Sequence, residues 1–217
     1  MKLIAKAIDS FFSRPILTLA GWTAGLSILG FALLLGLITW ILGATSILTT
    51  GWMDTTVDIL AGAVGFILAW FLFPVTTVLI ASFFADAAAE RIERLEYNIT
   101  EKREVSLWQE IKGGISFAAT AIALNLICIP LYFIPLINVV TYYTLNSYLL
   151  GREFFEMVTI RHLDVKEGKT LFRQNRWKVM MAGLVVAFAS TLPILNLFSP
   201  ILAVALMTHL FQQIRAN

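Results

Sequence analysis

Charge is what this 217-residue sequence lacks. Only 14% of its residues are Asp, Glu, Lys or Arg, against about 25% in ordinary soluble domains. Meanwhile 59% are hydrophobic, and the mean hydropathy is +0.81. The deficit is concentrated, because 15–53, 59–85, 113–151 and 179–214 carry no charged residue at all. Uncharged apolar runs of about 18 residues or more mark membrane segments, which excludes a soluble globular fold. Cysteine is nearly absent too. Cys128 stands alone in an apolar run, so one chain can form neither a disulfide nor a cysteine-based metal site. The histidines are only His162 and His209, and neither has a metal-ligand spacing. Within "IRHLD", His162 reads as an exposed interfacial residue. Gly168-Lys169-Thr170 has the ending of a phosphate loop, but Leu163 stands where that loop needs its first glycine. Nothing therefore supports an ATP-driven pump or an enzyme, and no cofactor, metal or nucleic-acid partner is expected.

What is present is a series of helices in a single membrane domain, 1–217. Residues 1–13 place Leu3, Ile4, Ala7, Ile8, Phe11 and Phe12 on one face and Lys2, Lys6, Asp9 and Ser13 on the other. That period predicts a helix lying in the membrane interface. Pro15 suits a first helical turn and opens a span over 15–42, too long for the ~7–15-residue apolar region of a signal peptide. A connection over 43–58 leads to a second long helix, 59–97, with a kink expected at Pro74. Its charged end continues at helical period, with Ala88, Ile92 and Leu95 on one side and a Glu90–Arg94 pair on the other. Ser106 to Gln109 has the spacing of a capping box and opens the next helix.

The remaining apolar stretches are shorter. Uncharged runs of 17 and 16 residues flank "PLYFIP", and runs of 14 and 14 flank Pro193–Pro200. As helices these are rods of roughly 21–25 Å, short of a ~30 Å hydrocarbon core. Four short spans in a thin or tilted arrangement would fit. Two hairpins that enter and leave by the same side, 106–162 and 176–215, fit the lengths better. "IPLINVV" and "LPILNLF" repeat one Pro-x-x-Asn pattern at their centres. Each asparagine, Asn138 and Asn196, is positioned either to satisfy backbone groups freed at a bend within the membrane or simply to cap a turn. All 16 Lys and Arg lie in 1–14, 86–112 or 152–178, or at Arg215. The positive-inside rule then places these segments in the cytoplasm.

Polar residues in membrane helices usually face the protein interior or a water path. Asn138, Tyr142, Asn146, Leu149, Glu153 and Glu156 fall near one helical stripe, with Arg152 beside it. Asn125 is a further buried polar candidate. The Arg152–Glu156 spacing allows simple mutual neutralisation or a place in a permeation path.

The double Pro-x-x-Asn hairpins, the two long leading helices and "LNSYLLGREFFEMVTIRH" resemble the CysZ sulfate permease family, which shares its domain with etoposide-induced 2.4-like proteins. The resemblance spans nearly the whole chain. It implies an all-α inner-membrane protein with two long transmembrane helices and two partly penetrating, re-entrant hairpins. It also implies homo-oligomers, sometimes antiparallel, and uptake of sulfate toward cysteine synthesis. That family carries a glycine–apolar–arginine motif near the start of its first long helix; here "SRPILTLAGW" offers only Arg14. Arg14 and Arg152 are thus the anion-binding candidates, with Asn125, Asn138, Asn146, Glu153, Glu156 and Asn196 along the path or at the bends. The alternative is a non-transporting scaffold whose 152–178 segment, with seven basic and four acidic residues, binds partners or lipid headgroups.

Overall fold

A computed structural model describes residues 2–44, 52–101, 103 and 105–216. Every regular element among them is helical: α1 (Lys2–Phe12), α2 (Arg14–Ala44), α3 (Trp52–Tyr97), α4 (Leu107–Tyr132), α5 (Ile137–Thr159), α6 (Val165–Gln174), α7 (Arg176–Thr191), α8 (Pro193–Asn196) and α9 (Ser199–Arg215). The expected connection over 43–58 is shorter than read, since α2 runs to Ala44 and α3 opens at Trp52; its middle lies outside the described residues. α3 continues through Pro74 for 46 residues, roughly 69 Å. That is twice what a membrane core needs, so its charged end extends past the apolar layer.

Two stretches, Arg14–Trp40 and Ile111–Tyr132, are long and apolar enough to cross a membrane. The second has none of its apolar window buried in the protein. Leu126, Ile127 and Ile129 on α4 are all exposed, as are Leu29, Leu33 and Trp40 on α2. A helix that is apolar all round is stable only in an apolar medium. α4 also passes through Pro130 rather than breaking there, so its apolar rod of 22 residues reaches roughly 33 Å. The short-rod expectation therefore fails for α4, and holds for α7 and α9, with 16 and 17 residues.

Two cores meet on α9. One gathers Phe155 and Val158 of α5, Val179, Ala182 and Val186 of α7, and Leu206, Met207 and Phe211 of α9. The other joins Ile16 and Ala20 of α2 to Ala85, Ala88, Ala89 and Ile92 of α3 and to Ile201, Val204 and Ala205 of α9. Leu95, placed by period on the same side of α3 as Ala88 and Ile92, is exposed although those two are buried. α1 lies against α9 through Ala7 and Ser10 and leaves Ile4, Ile8 and Phe12 exposed. The expected apolar face is thus divided, with Leu3 and Phe11 packed against the protein and Ile4, Ile8 and Phe12 turned outward.

The hairpins are joined by small residues. A Cβ on Gly151 of α5 would stand 2.8 Å from the Val179 carbonyl oxygen of α7, and one on Gly183 would overlap the Ser147 carbonyl. The pairs Ser147/Gly151 and Val179/Gly183, each spaced by four, let the two backbones touch, as small-residue faces do in membranes.

Candidate functional site

The two Pro-x-x-Asn bends are not equivalent. At the first, Phe133–Leu136 form the turn and Asn138 lies in the first turn of α5, where its side-chain oxygen accepts the Val139 N–H at 2.7 Å. It thus satisfies one of the orphan donors of a helix start. Leu136, preceding α5, takes φ 67°, a region that strains a residue with a Cβ. At the second bend Pro193–Asn196 make a helical turn of their own. The Asn196 side chain reaches no backbone donor among the described residues; its oxygen is 3.5 Å from the Ser199 hydroxyl, which donates to the Asn196 carbonyl at 2.9 Å.

The polar stripe divides. Asn146 and Asn125 each donate to the carbonyl four residues back, at 2.8 Å in both cases. Asn125 is exposed rather than buried, and Tyr142 is exposed as well. An amide can satisfy itself on its own helix, so these residues need no path to justify them. Arg152 is buried and pairs with Glu156 at 2.7 Å, with Phe117 of α4 stacked 6.0 Å from its guanidinium. Arg14 is exposed at the first residue of α2, with no side-chain hydrogen bond or ion pair among the described residues.

Glu153 and Glu156 share a cavity of about 300 Å³ between α4, α5 and α6. Both lie past Gly151, where the uncharged stretch of α5 ends. Gly113, Gly114 and Phe117 line one wall, Met157 and Ile160 another, and Asp164, Gly168 and Lys169 the rim. Burial pushes the Glu153 carboxyl above its ordinary range, because an apolar surround penalises the charged form. Asp164 is held below the usual carboxylate range by the Val165 backbone N–H and by Arg103, 3.2 Å away. The Asp164 N–H in turn donates to Glu167 at 2.9 Å, closing a capping box on α6. The box expected at Ser106 does not form, although Ser106 does precede α4.

Two buried polar clusters escaped the sequence reading. In the first, Glu93 receives Arg161 through Nε at 3.2 Å and through a terminal nitrogen at 3.1 Å, with His162 Nε2 at 2.7 Å from its other oxygen. Arg161 also bonds Asp86. Glu93 and Arg161 are only 2% and 4% exposed. His162, expected to be exposed, is held here and stacks on Phe211 at 5.5 Å. In the second, His209 of α9 meets Ser10 of α1 through Nε2 at 2.8 Å and Tyr97 of α3 through Nδ1 at 2.7 Å. Lys6 reaches Tyr97 at 3.1 Å, and Ser10 bonds Glu96. One consistent proton order satisfies all five groups. Lys6 donates to Tyr97, Tyr97 to Nδ1, Nε2–H to Ser10, and Ser10 to the Glu96 carboxylate.

The family model described as "Sulfate transporter CysZ/Etoposide-induced protein 2.4" matches residues 3–200. A comparison with curated proteins finds no match.

Proposed function

The chain belongs to the sulfate transporter CysZ/etoposide-induced protein 2.4 family, and from that membership we propose a permease for sulfate or a related small oxyanion. The match over 3–200 carries this reading. Transport is passive or ion-coupled and uses no ATP. It feeds cysteine synthesis across a bacterial inner membrane, through a homo-oligomer with the charged segments on the cytoplasmic side. The short rods α7/α9 act as a hairpin that penetrates part of the membrane, and α4/α5 as a deeper one that enters and leaves by the same side.

A dianion leaves water only for paired donors and positive potential. Arg152 has little of either to offer, being committed to Glu156. Arg14 is exposed beside the N-terminus of a 31-residue helix, where the helix dipole favours an anion. We therefore assign the first anion contact to Arg14. The scaffold alternative loses ground, because two of the seven basic residues in 152–178, Arg152 and Arg161, are buried in ion pairs.

Radiolabelled sulfate flux into liposomes holding only the purified protein tests the reading. Arg14→Ala should weaken sulfate binding by about 1.5–3 kcal/mol, the worth of a charge-assisted contact, and more than Arg152→Ala does once folding is verified. Absence of sulfate flux through the parent protein would favour the scaffold.

A further inference from the structure

The cavity between α4, α5 and α6 contains one acid and one base without partners among the described residues. Four ionisable residues line it. Glu156 is neutralised by Arg152 and Asp164 by Arg103. Glu153 and Lys169 make no ion pair or side-chain hydrogen bond among the described residues, with each other or with anything else. A carboxylate lodged among Phe117, Met157 and Ile160 is costly unless something compensates it.

The wall opposite is built from two adjacent glycines. Gly113 and Gly114 sit side by side inside α4, yet a Cβ on either would meet nothing within 4 Å. Two interior glycines cost a helix about 1 kcal/mol each relative to alanine, and packing within the protein requires neither. They leave room beside the cavity. Gly168, on the opposite rim, does have a packing reason, since a Cβ there would stand 3.0 Å from Thr159 Oγ1.

Position supplies the last element. Gly113 begins one uncharged stretch and Gly151 ends it, so the cavity lies where apolar chain gives way to charge, at headgroup depth. Trp108, exposed one turn before it with Lys112 stacked 5.2 Å from its ring, marks the same level.

We propose that this cavity binds the headgroup of a zwitterionic phospholipid carrying a primary ammonium. The ammonium donates N–H bonds to Glu153, and the phosphate takes Lys169. The acyl chains run along the exposed apolar face of α4. One unpaired acid and one unpaired base match a zwitterion, where an anionic headgroup would leave Glu153 uncompensated. A trimethylammonium headgroup has no N–H to give, which sets the specificity. The site is separate from Arg14 and independent of the anion transported.

The test uses the full chain, purified and delipidated in a maltoside detergent, with phosphatidylethanolamine, phosphatidylcholine or phosphatidylglycerol added back. Retained lipid is counted by native mass spectrometry, and thermal unfolding is followed in parallel. Phosphatidylethanolamine should be retained about tenfold over phosphatidylcholine, the factor expected of a charge-assisted hydrogen bond. Glu153→Gln should erase that preference. Lys169→Gln should weaken both lipids alike, since both carry the phosphate. Equal retention of the two lipids by the parent protein overturns the proposal, as does a preference that survives Glu153→Gln. Glycerophosphoethanolamine, which has the same headgroup without chains, should protect far less at equal concentration. Equal protection would make the occupant a water-borne zwitterion and overturn the lipid assignment.

Discussion

Arg161 answers to a carboxylate 68 residues earlier in the chain. Glu93, 2% exposed, receives Arg161 and His162, so removing the guanidinium strands a charge that burial cannot tolerate. Arg161→Leu should cost about 3–5 kcal/mol of unfolding free energy in detergent, and adding Glu93→Leu should recover most of it. A loss below 1 kcal/mol, or no recovery in the double variant, would mean that water already reaches the cluster. Part of this was readable in advance. Asp86 and Glu93 are two helical turns apart and share a face with Ala85, Ala89 and Ile92. Charge beyond an uncharged run reads as solvated, however, and no local pattern announces a partner from another helix. The same limit applies to His209, whose partners Ser10 and Tyr97 lie 199 and 112 residues away. Self-contained pairs are different. The Arg152–Glu156 spacing allowed the neutralisation seen at 2.7 Å, whereas the cavity that Glu153 and Glu156 share depends on α4 and α6 as well and was not legible from their stripe.

Helices α5 and α7 approach so closely that one methyl group decides their fit. Gly183→Ala sets a Cβ against the Ser147 carbonyl and within 2.9 Å of the Gly151 Cα; neither backbone atom can rotate away. The substitution should destabilise by about 1–3 kcal/mol. Gly36→Ala in α2, where nothing lies within 4 Å, should instead stabilise by up to about 1 kcal/mol through helix propensity. Thermal melting of the two variants in one detergent separates packing from propensity, and a Gly183→Ala variant as stable as the parent or more so would refute the close approach. Helix positions were well marked in the sequence, because uncharged runs and their flanking charges set the limits. The bends were less so. "IPLINVV" and "LPILNLF" share residue types but not the geometry that follows, since Leu136 takes a positive φ at one and Pro193–Asn196 complete a helical turn at the other. Backbone dihedrals at such turns depend on how the flanking rods pack, which the local residues do not encode.

Across the whole molecule, orientation rests on the distribution of Lys and Arg, none of which falls in 43–58. In a Cys128→Ser background, Asp54→Cys should react with a membrane-impermeant maleimide only from outside the cell, and Lys169→Cys only from inside. Labelling of Lys169→Cys from outside alone would refute the hairpin topology, and labelling of both sites from both sides would show dual insertion. The sequence conveyed the membrane class and the two long leading helices. It treated the two hairpins as copies, whereas α4 is apolar and open to its surroundings while α9 is enclosed. Enclosure depends on which rods surround a helix, and the apolar runs of the two are composed alike. The position of α9 has a consequence in time. Ile201, Val204 and Ala205 complete one core and Leu206, Met207, Leu210 and Phe211 the other, and every helix they touch precedes α9 in the chain. During synthesis α2 can pair with α3, and α5 with α7, before α9 exists, but neither core is complete until α9 arrives. Membrane helices tolerate that delay because insertion and association are distinct stages. The first described helix thus waits for the ninth, since the His209 that holds Ser10 and Tyr97 emerges from the ribosome only after both have been made.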